Sequence, residues 1–157
     1  VGHFGATAAL DLGWVAAIRA ATSRGVPLLG ICLGMQWLFE GSDEAPGVRG
    51  LGIMAGVCSR LPRDAAGVLK VPHVGWNALT VPRPSRLLDG IPPASQVYFT
   101  HSFAAPVTPE SVATCTHGAE FAAAVEKAHV VGVQFHPEKS STAGLRILRN
   151  FAALTRT

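Results

Sequence analysis

Val26-Pro27-Leu28-Leu29-Gly30-Ile31-Cys32-Leu33-Gly34-Met35-Gln36-Trp37-Leu38-Phe39 runs two kinds of order together. Val26 to Ile31 is a short apolar run, the pattern of a strand buried on both faces. Leu33 to Phe39 places Met35, Leu38 and Phe39 at helical spacing. Between them, Gly30-Ile31-Cys32-Leu33-Gly34 has the form G-x-C-x-G. It is the thiol version of the sharp strand-to-helix turn that lifts a nucleophile clear of a sheet. The flanking glycines leave room for strand and helix to approach closely. A helix starting after Cys32 favours a thiolate through its partial positive charge. The Leu33 N–H is placed to donate to an oxyanion. Taken alone, the turn fits a buried structural cysteine as well as a nucleophile. Cys58 and Cys115 lie in strand-like segments without such a turn and read as core.

A thiolate nucleophile needs a proton partner. Of the 6 histidines, His136 stands out in Gln134-Phe135-His136-Pro137-Glu138. It follows a second apolar run, Val130–Phe135, and so sits at a strand end, where open α/β sheets place ligands. In an extended segment residues two apart share a side, so His136 and Glu138 can lie together. Pro137 restricts the backbone between them. Glu138 can then hold the imidazole tautomer and stabilise its charged form. An isolated H-x-E is more often a surface turn. With the upstream thiol turn, Cys32, His136 and Glu138 become the candidate catalytic residues. His3, His117 and His129 read as exposed, and no histidine pair has zinc-ligand spacing with a third candidate, so no metal is expected.

The rest of the chain frames these two segments. Residues 8–24 read as helical, with Gly13 a possible break and Gly25 a stop. Ile53–Leu61, Gly75–Val81, Val97–Thr100, Val112–Thr116 and Phe121–Glu126 are short strand candidates separated by Pro and Gly clusters. Ser140 or Ser141 can cap a last helix carrying Leu148, Phe151 and Leu154 on one face. The pattern is α/β with an antiparallel or mixed insertion in the middle. At 157 residues, without repeats or a linker, it suits one domain spanning 1–157. A chain 48% hydrophobic and 15% charged is not disordered. A net charge of +3 from scattered basic residues argues against nucleic acid. No apolar stretch reaches the ~18 residues needed to span a bilayer. Three cysteines without a C-x-x-C pair, and no signal-peptide pattern, suit a reduced cytoplasm. The start, Val1-Gly2-His3-Phe4-Gly5, lacks Met and looks like a turn that should follow a strand. Further residues of the domain are therefore expected upstream.

Gly30-Ile31-Cys32-Leu33-Gly34-Met35-Gln36 together with His136-Pro137-Glu138 resembles the class I glutamine amidotransferases, over essentially the whole chain and in the right order. Val71-Pro72-His73-Val74-Gly75-Trp76-Asn77, Tyr98-Phe99-Thr100-His101-Ser102-Phe103 and His136-Pro137-Glu138-Lys139-Ser140 are similar to segments of that family's histidine-pathway branch, the glutaminase subunits of imidazole glycerol phosphate synthases. The resemblance implies a flavodoxin-like fold: a mixed, mostly parallel sheet flanked by helices, with an initial strand, helix and second strand ahead of Val1. It implies hydrolysis of glutamine to glutamate and ammonia, without a cofactor. The ammonia would pass to a (β/α)₈-barrel cyclase in a heterodimer that makes imidazole glycerol phosphate and aminoimidazole carboxamide ribonucleotide. Gln36, Ser102 and Phe103 match positions that hold the glutamine. The family usually has Tyr where this chain has Phe103. Trp76, Asn77, Tyr98 and Lys139 match positions that face the cyclase. Val1 and Gly2 match the segment that joins Leu33 in the oxyanion hole. The end at Thr157, soon after the last helix, suggests that the barrel is a separate chain. Without the upstream strands the chain is expected to fold poorly and lose activity by itself. The other readings are a glutaminase serving another synthase, such as anthranilate synthase, and a non-catalytic remnant that only binds its synthase. A cysteine peptidase is disfavoured by Gln36 and the segment around Trp76.

Overall fold

The structure is a computed structural model that describes residues 2–10, 12–63 and 69–155. The two apolar runs form its centre. Leu28–Ile31 (β1) and Val130–Val133 (β9) pair in parallel, with Ile31 opposite Val133. Both chains therefore leave the sheet at the same end, side by side. Ser111–His117 (β7) and Ala119–Lys127 (β8) form an antiparallel ribbon, and β8 pairs antiparallel with β9. The strand order is β1-β9-β8-β7. Mixed pairing is thus observed. The expectation of mostly parallel strands holds here only at β1–β9, because short turns join β7 to β8 and β8 to β9 and such turns force antiparallel neighbours.

Both faces of this sheet are covered. Leu29, Ile31, Val131, Val133 and Phe135 face one hydrophobic cluster, whereas Leu28 and Val130 face the other, as the two-residue period of a strand requires. Ser141–Leu154 (α3) closes the first cluster through Ala143, Ile147, Phe151 and Leu154. Leu12–Ser23 (α1) and Leu33–Trp37 (α2) lie on the second, with Val15, Ile18, Met35 and Trp37 packed there. Gly132 is the seat of α2, since a Cβ on it would stand 2.8 Å from Met35 Cγ.

The middle segment supplies two small sheets. Gly41–Ser42 (β2) pairs in parallel with Val57–Arg60 (β3), which pairs antiparallel with Phe103–Ala104 (β6). His73–Ala78 (β4) and Gln96–His101 (β5) form an antiparallel pair. β2 and β6, of two residues each, carry too little periodicity to be read from sequence.

Several expectations are corrected. Val26 is 48% exposed and precedes the strand, because Gly25 turns the chain at φ 86° just before it. The helical stretch at 8–24 is a 3₁₀ helix, Phe4–Ala9, followed by α1, so the interruption lies before Gly13. Ser140 is the N-cap of α3, but its hydroxyl makes no cap bond. It donates instead to His136 O (2.6 Å) and accepts from Tyr98 N (2.9 Å). His117 and His129 are half-buried: the first stacks on His73, and the second meets Thr22 O. Among the described residues no helix is long and apolar enough to cross a membrane.

Candidate active site

Cys32 occupies the turn between β1 and α2 at φ 51°, ψ −107°, outside the regions an L-residue prefers. The ladder holds it there. Its N–H bonds to Val133 O at 2.8 Å, and its carbonyl accepts the Gln36 N–H at 3.1 Å. Such strain persists only where the surroundings over-determine it, and it clusters at reactive sites. Gly30 makes the turn possible, because a Cβ there would lie 2.6 Å from Gly34 C and O and 2.7 Å from Met35 N. Gly34, by contrast, would place a Cβ in open space. Only the first flanking glycine is needed for close approach.

The thiol is 6% exposed, and burial pushes its pKa above the ordinary value. The Leu33 N–H opposes this, as does the Gln134 amide, whose Nε2 lies 3.7 Å from Sγ. The expected net help from the helix start is therefore overridden. α2 has only five residues, so it contributes individual N–H groups rather than a long dipole. Cys58 and Cys115 are buried in β3 and β7, with thiols pushed up to about 12 and about 11 by desolvation.

His136 follows β9 by three residues, and its backbone N–H bonds to Tyr98 O at 2.9 Å. Its Nδ1 lies 2.7 Å from Glu138 Oε1. A carboxylate accepts, so Nδ1 carries a hydrogen, and in the neutral ring Nε2 then presents its lone pair. That Nε2 is buried and has no hydrogen-bond partner among the described residues. The His–Glu pairing does not arise from an extended strand. Pro137–Lys139 is a 3₁₀ turn, and the carboxylate folds back on the ring across it.

A cavity of about 30 Å³ adjoins the cysteine. Its lining includes Gly2, Cys32, Leu33, Gln36, Glu44, His101, Ser102 and Phe103. Its wall brings Cys32 together with the polar residues Gln36, Glu44, His101 and Ser102. Val1 lies outside the described residues. A larger groove of about 490 Å³, lined in part by Arg83, Ser85, Arg86, Asp89 and Glu126, has neither cysteine nor histidine in its described lining. Its Arg86 and Glu126 already pair at 2.8 Å, so the smaller cavity is the better candidate for chemistry.

Behind the cavity lies a buried polar network that the sequence reading did not find. Gln36 Nε2 donates to Phe103 O (2.7 Å) and to Gln134 Oε1 (3.0 Å). His101 Nδ1 also meets Phe103 O at 2.9 Å, and His101 Nε2 lies 3.1 Å from His73 Nδ1. The carbonyl can only accept, so His101 Nδ1 carries a hydrogen, and with both rings neutral His101 Nε2 accepts from His73 Nδ1. Burial holds His101 down at about 4 and His73 at about 3. Gln134 was legible in principle, standing two residues before His136 at the end of the apolar run. His73, His101 and Glu44 come close only through folding.

The residues expected at a partner face divide. Trp76 is 52% exposed and packs edge-on against Tyr98, its cross-strand partner, at 6.1 Å. Lys139 Nζ sits 5.7 Å from the Tyr98 ring centroid. Val74, two residues before Trp76, is 57% exposed and extends this apolar patch. Asn77 points elsewhere, bonding to Thr116 O at 3.1 Å, because neighbours along a strand alternate faces.

Comparison with known proteins agrees with this geometry. The pattern of the family described as glutamine amidotransferase class-I matches residues 5–154. The chain is 51% identical over 146 residues to the imidazole glycerol phosphate synthase subunit HisH of Moorella thermoacetica, covering 92% of this chain and 68% of that protein. It is 49% identical over 130 residues to the HisH subunit of Xanthomonas euvesicatoria pv. vesicatoria, covering 83% and 64% respectively. The chain thus spans about two thirds of the length of these curated relatives. A crystal structure of a glutamine amidotransferase superposes with a TM-score of 0.65 at 19% identity, over 92% of this chain and 69% of that one. A match across residues 5–154, joined to half-identity with a relative of which it covers 68%, makes this chain a member of the class I glutamine amidotransferase family.

Proposed function

We propose that this chain hydrolyses glutamine to glutamate and ammonia with Cys32 as nucleophile, His136 as proton carrier and Glu138 as its orienter. The observation that carries the reading is the His136–Glu138 bond of 2.7 Å, which leaves a buried, unpartnered Nε2 at the sheet end where Cys32 emerges. His136 Nε2 takes the thiol proton as Sγ bonds to the side-chain amide carbon of glutamine. The oxygen of the tetrahedral intermediate accepts from the Leu33 N–H and from the segment around Val1 and Gly2. His136 returns the proton to the nitrogen as the C–N bond breaks, which releases ammonia and leaves a γ-glutamyl thioester. Water then gives a proton to His136 and adds to the thioester. Glutamate leaves and the thiol is restored.

The cavity suits the amino-acid end of glutamine. Both amide hydrogens of Gln36 are committed to protein acceptors, so its Oε1 is what remains to accept from the substrate. Glu44 supplies a carboxylate in the cavity wall as a counter-charge for the substrate ammonium. Ser102 and Phe103 border the same cavity and receive the substrate carboxylate through the Ser102 hydroxyl and backbone N–H groups. Phe103 serves here through its backbone.

The ammonia passes to a (β/α)₈-barrel cyclase that forms imidazole glycerol phosphate and aminoimidazole carboxamide ribonucleotide, in the cytoplasm, with residues 1–157 acting as one glutamine amidotransferase domain. The Moorella and Xanthomonas relatives carry the name of that synthase, which supports the assignment. The patch of Val74, Trp76, Tyr98 and Lys139 is the face offered to the barrel. In the assembled synthase, Cys32→Ala should abolish glutamine-dependent cyclisation and leave cyclisation from added ammonia intact. Glutaminase activity surviving in Cys32→Ala would sink the proposal.

A further inference from the structure

We infer that Gln134 is a positioning residue for the nucleophile: its side-chain amide, oriented by a chain of hydrogen bonds from the Phe103 carbonyl through Gln36, donates an N–H to Cys32 Sγ and holds the thiolate in place for attack. The inference rests on Cys32 being the nucleophile, and it adds a residue that the Cys-His-Glu set does not contain.

The orientation follows from the acceptor at the far end. A backbone carbonyl has no proton to give, so the Gln36 atom 2.7 Å from Phe103 O is its NH₂ group. The second hydrogen of that group goes to the Gln134 side chain at 3.0 Å, which must present its oxygen there. The NH₂ group of Gln134 is thereby turned to Cys32, 3.7 Å from Sγ. The far anchor is itself fixed, since Phe103 O also accepts from His101 Nδ1 at 2.9 Å. Gln134 is 0% exposed and Gln36 4%, so solvent does not compete for these groups.

The backbone is pinned as well. Ile31 pairs with Val133, which places Cys32 and Gln134 side by side one step beyond the ladder. Gln134 N–H bonds to Ala123 O at 2.9 Å. Among the described titratable groups, the Glu138 charge beyond β9 bears on Sγ, and His101 from β5 and Glu44 line the cavity beside it. Burial and the Glu138 charge disfavour a thiolate, while the Leu33 and Gln134 N–H groups favour it. A hydrogen bond to an ionised acceptor is roughly twice as strong as a neutral one, so the Gln134 bond strengthens as the proton leaves Sγ.

The test follows the alkylation rate of Cys32 by iodoacetamide against pH in the full chain, read by peptide mass so that Cys58 and Cys115 are separated. Gln134→Glu keeps the acceptor for Gln36 and replaces only the donor by an oxygen. Its inflection should rise by at least about one pH unit, roughly tenfold less thiolate at a given pH. Gln134→Met removes the donor without adding charge, so its inflection should rise by less. Both variants should lower kcat with little change in KM, as expected when an interaction with the reacting atom is lost. Inflections within about 0.2 units of wild type would overturn the inference. Should the variants not fold, the wild-type chain decides by NMR. The Gln134 side-chain amide protons should shift as Cys32 titrates, and invariant resonances would equally overturn it. If instead Cys32→Ala keeps glutaminase activity, the functional reading itself fails, whatever the alkylation profile shows.

Discussion

Lowering the pH should unfold this protein well before its carboxylates are the cause, because two neutral histidines are buried in contact with each other. His101 is 1% exposed and His73 4%. Burial is the main reason that His101 titrates at about 4 and His73 at about 3, each from an ordinary value of 6.5. The neighbouring histidines add to the depression, and the Phe103 carbonyl partly offsets it for His101. The unfolded chain takes up these protons as pH falls through 6.5, whereas the folded chain does not until about 4. Between those limits the unfolded state binds more protons, so stability falls as pH falls; above 6.5 it is fully present. Each unsatisfied proton costs about 1.4 kcal/mol per pH unit. Across 6.5 − 4 = 2.5 units, His101 alone contributes a loss of about 3 kcal/mol. A similar loss from His73 makes the sum comparable with the whole stability of a small domain, ~5–15 kcal/mol. Glu126 is held below its ordinary 4.5 by Ser85 and Arg86 despite the opposing effect of burial, so its contribution disappears only at lower pH. Urea denaturation followed by circular dichroism at about pH 7, 6 and 5 measures the slope. The histidine-dependent part should be shallower by about one proton in His101→Gln and in His73→Gln. A stability that is flat from about pH 7 to 5, or an identical slope in both variants, would refute the reasoning.

Other perturbations separate packing from chemistry. Gly30→Ala forces a Cβ against the backbone of Gly34 and Met35 and should cost about 1–3 kcal/mol in urea melts, whereas Gly34→Ala, with open space beside it, should be close to neutral. Equal effects would show that the turn is not packed as described. Glu138→Gln should slow glutamine turnover strongly, on the order of 10⁴-fold by analogy with loss of the orienting acid in a serine triad, and an unchanged rate would make Glu138 a surface carboxylate. Trp76→Ala should leave the free chain within about 0.5 kcal/mol of wild-type stability, since the side chain is 52% exposed, and should weaken barrel binding by about 2 kcal/mol. Unfolding of the free variant with an unchanged dissociation constant would instead make Trp76 a structural residue.

Much of the site could be read from residue order alone. An apolar run ending in G-x-C-x-G defines a strand, a tight turn and a helix start, because a pleated strand and a helix impose different periods on the same few residues. A second apolar run ending in H-P-E defines a strand end carrying a base and an acid within two residues. Local spacing sufficed there because each relation spans only a few bonds. It misjudged details where a backbone choice was free. The His136–Glu138 bond forms across a 3₁₀ turn rather than along a strand, and the Ser140 hydroxyl goes to Tyr98 and His136 rather than to a helix cap.

What the tertiary structure alone decided is how distant segments meet. The parallel register of β1 and β9 brings Cys32 beside Gln134, although about a hundred residues of chain separate them. Pairing of β4 with β5 sets His73 opposite His101, and alternation then sends Trp76 outward and Asn77 inward. Neither relation has a local signature, because a glutamine or histidine looks the same in sequence whether water or a buried carbonyl receives its proton. The direction of the Cys32 shift was settled in the same way. The sequence placed helix N–H groups near the sulfur, but only folding fixed how much water is excluded from it, and that desolvation outweighs the donors.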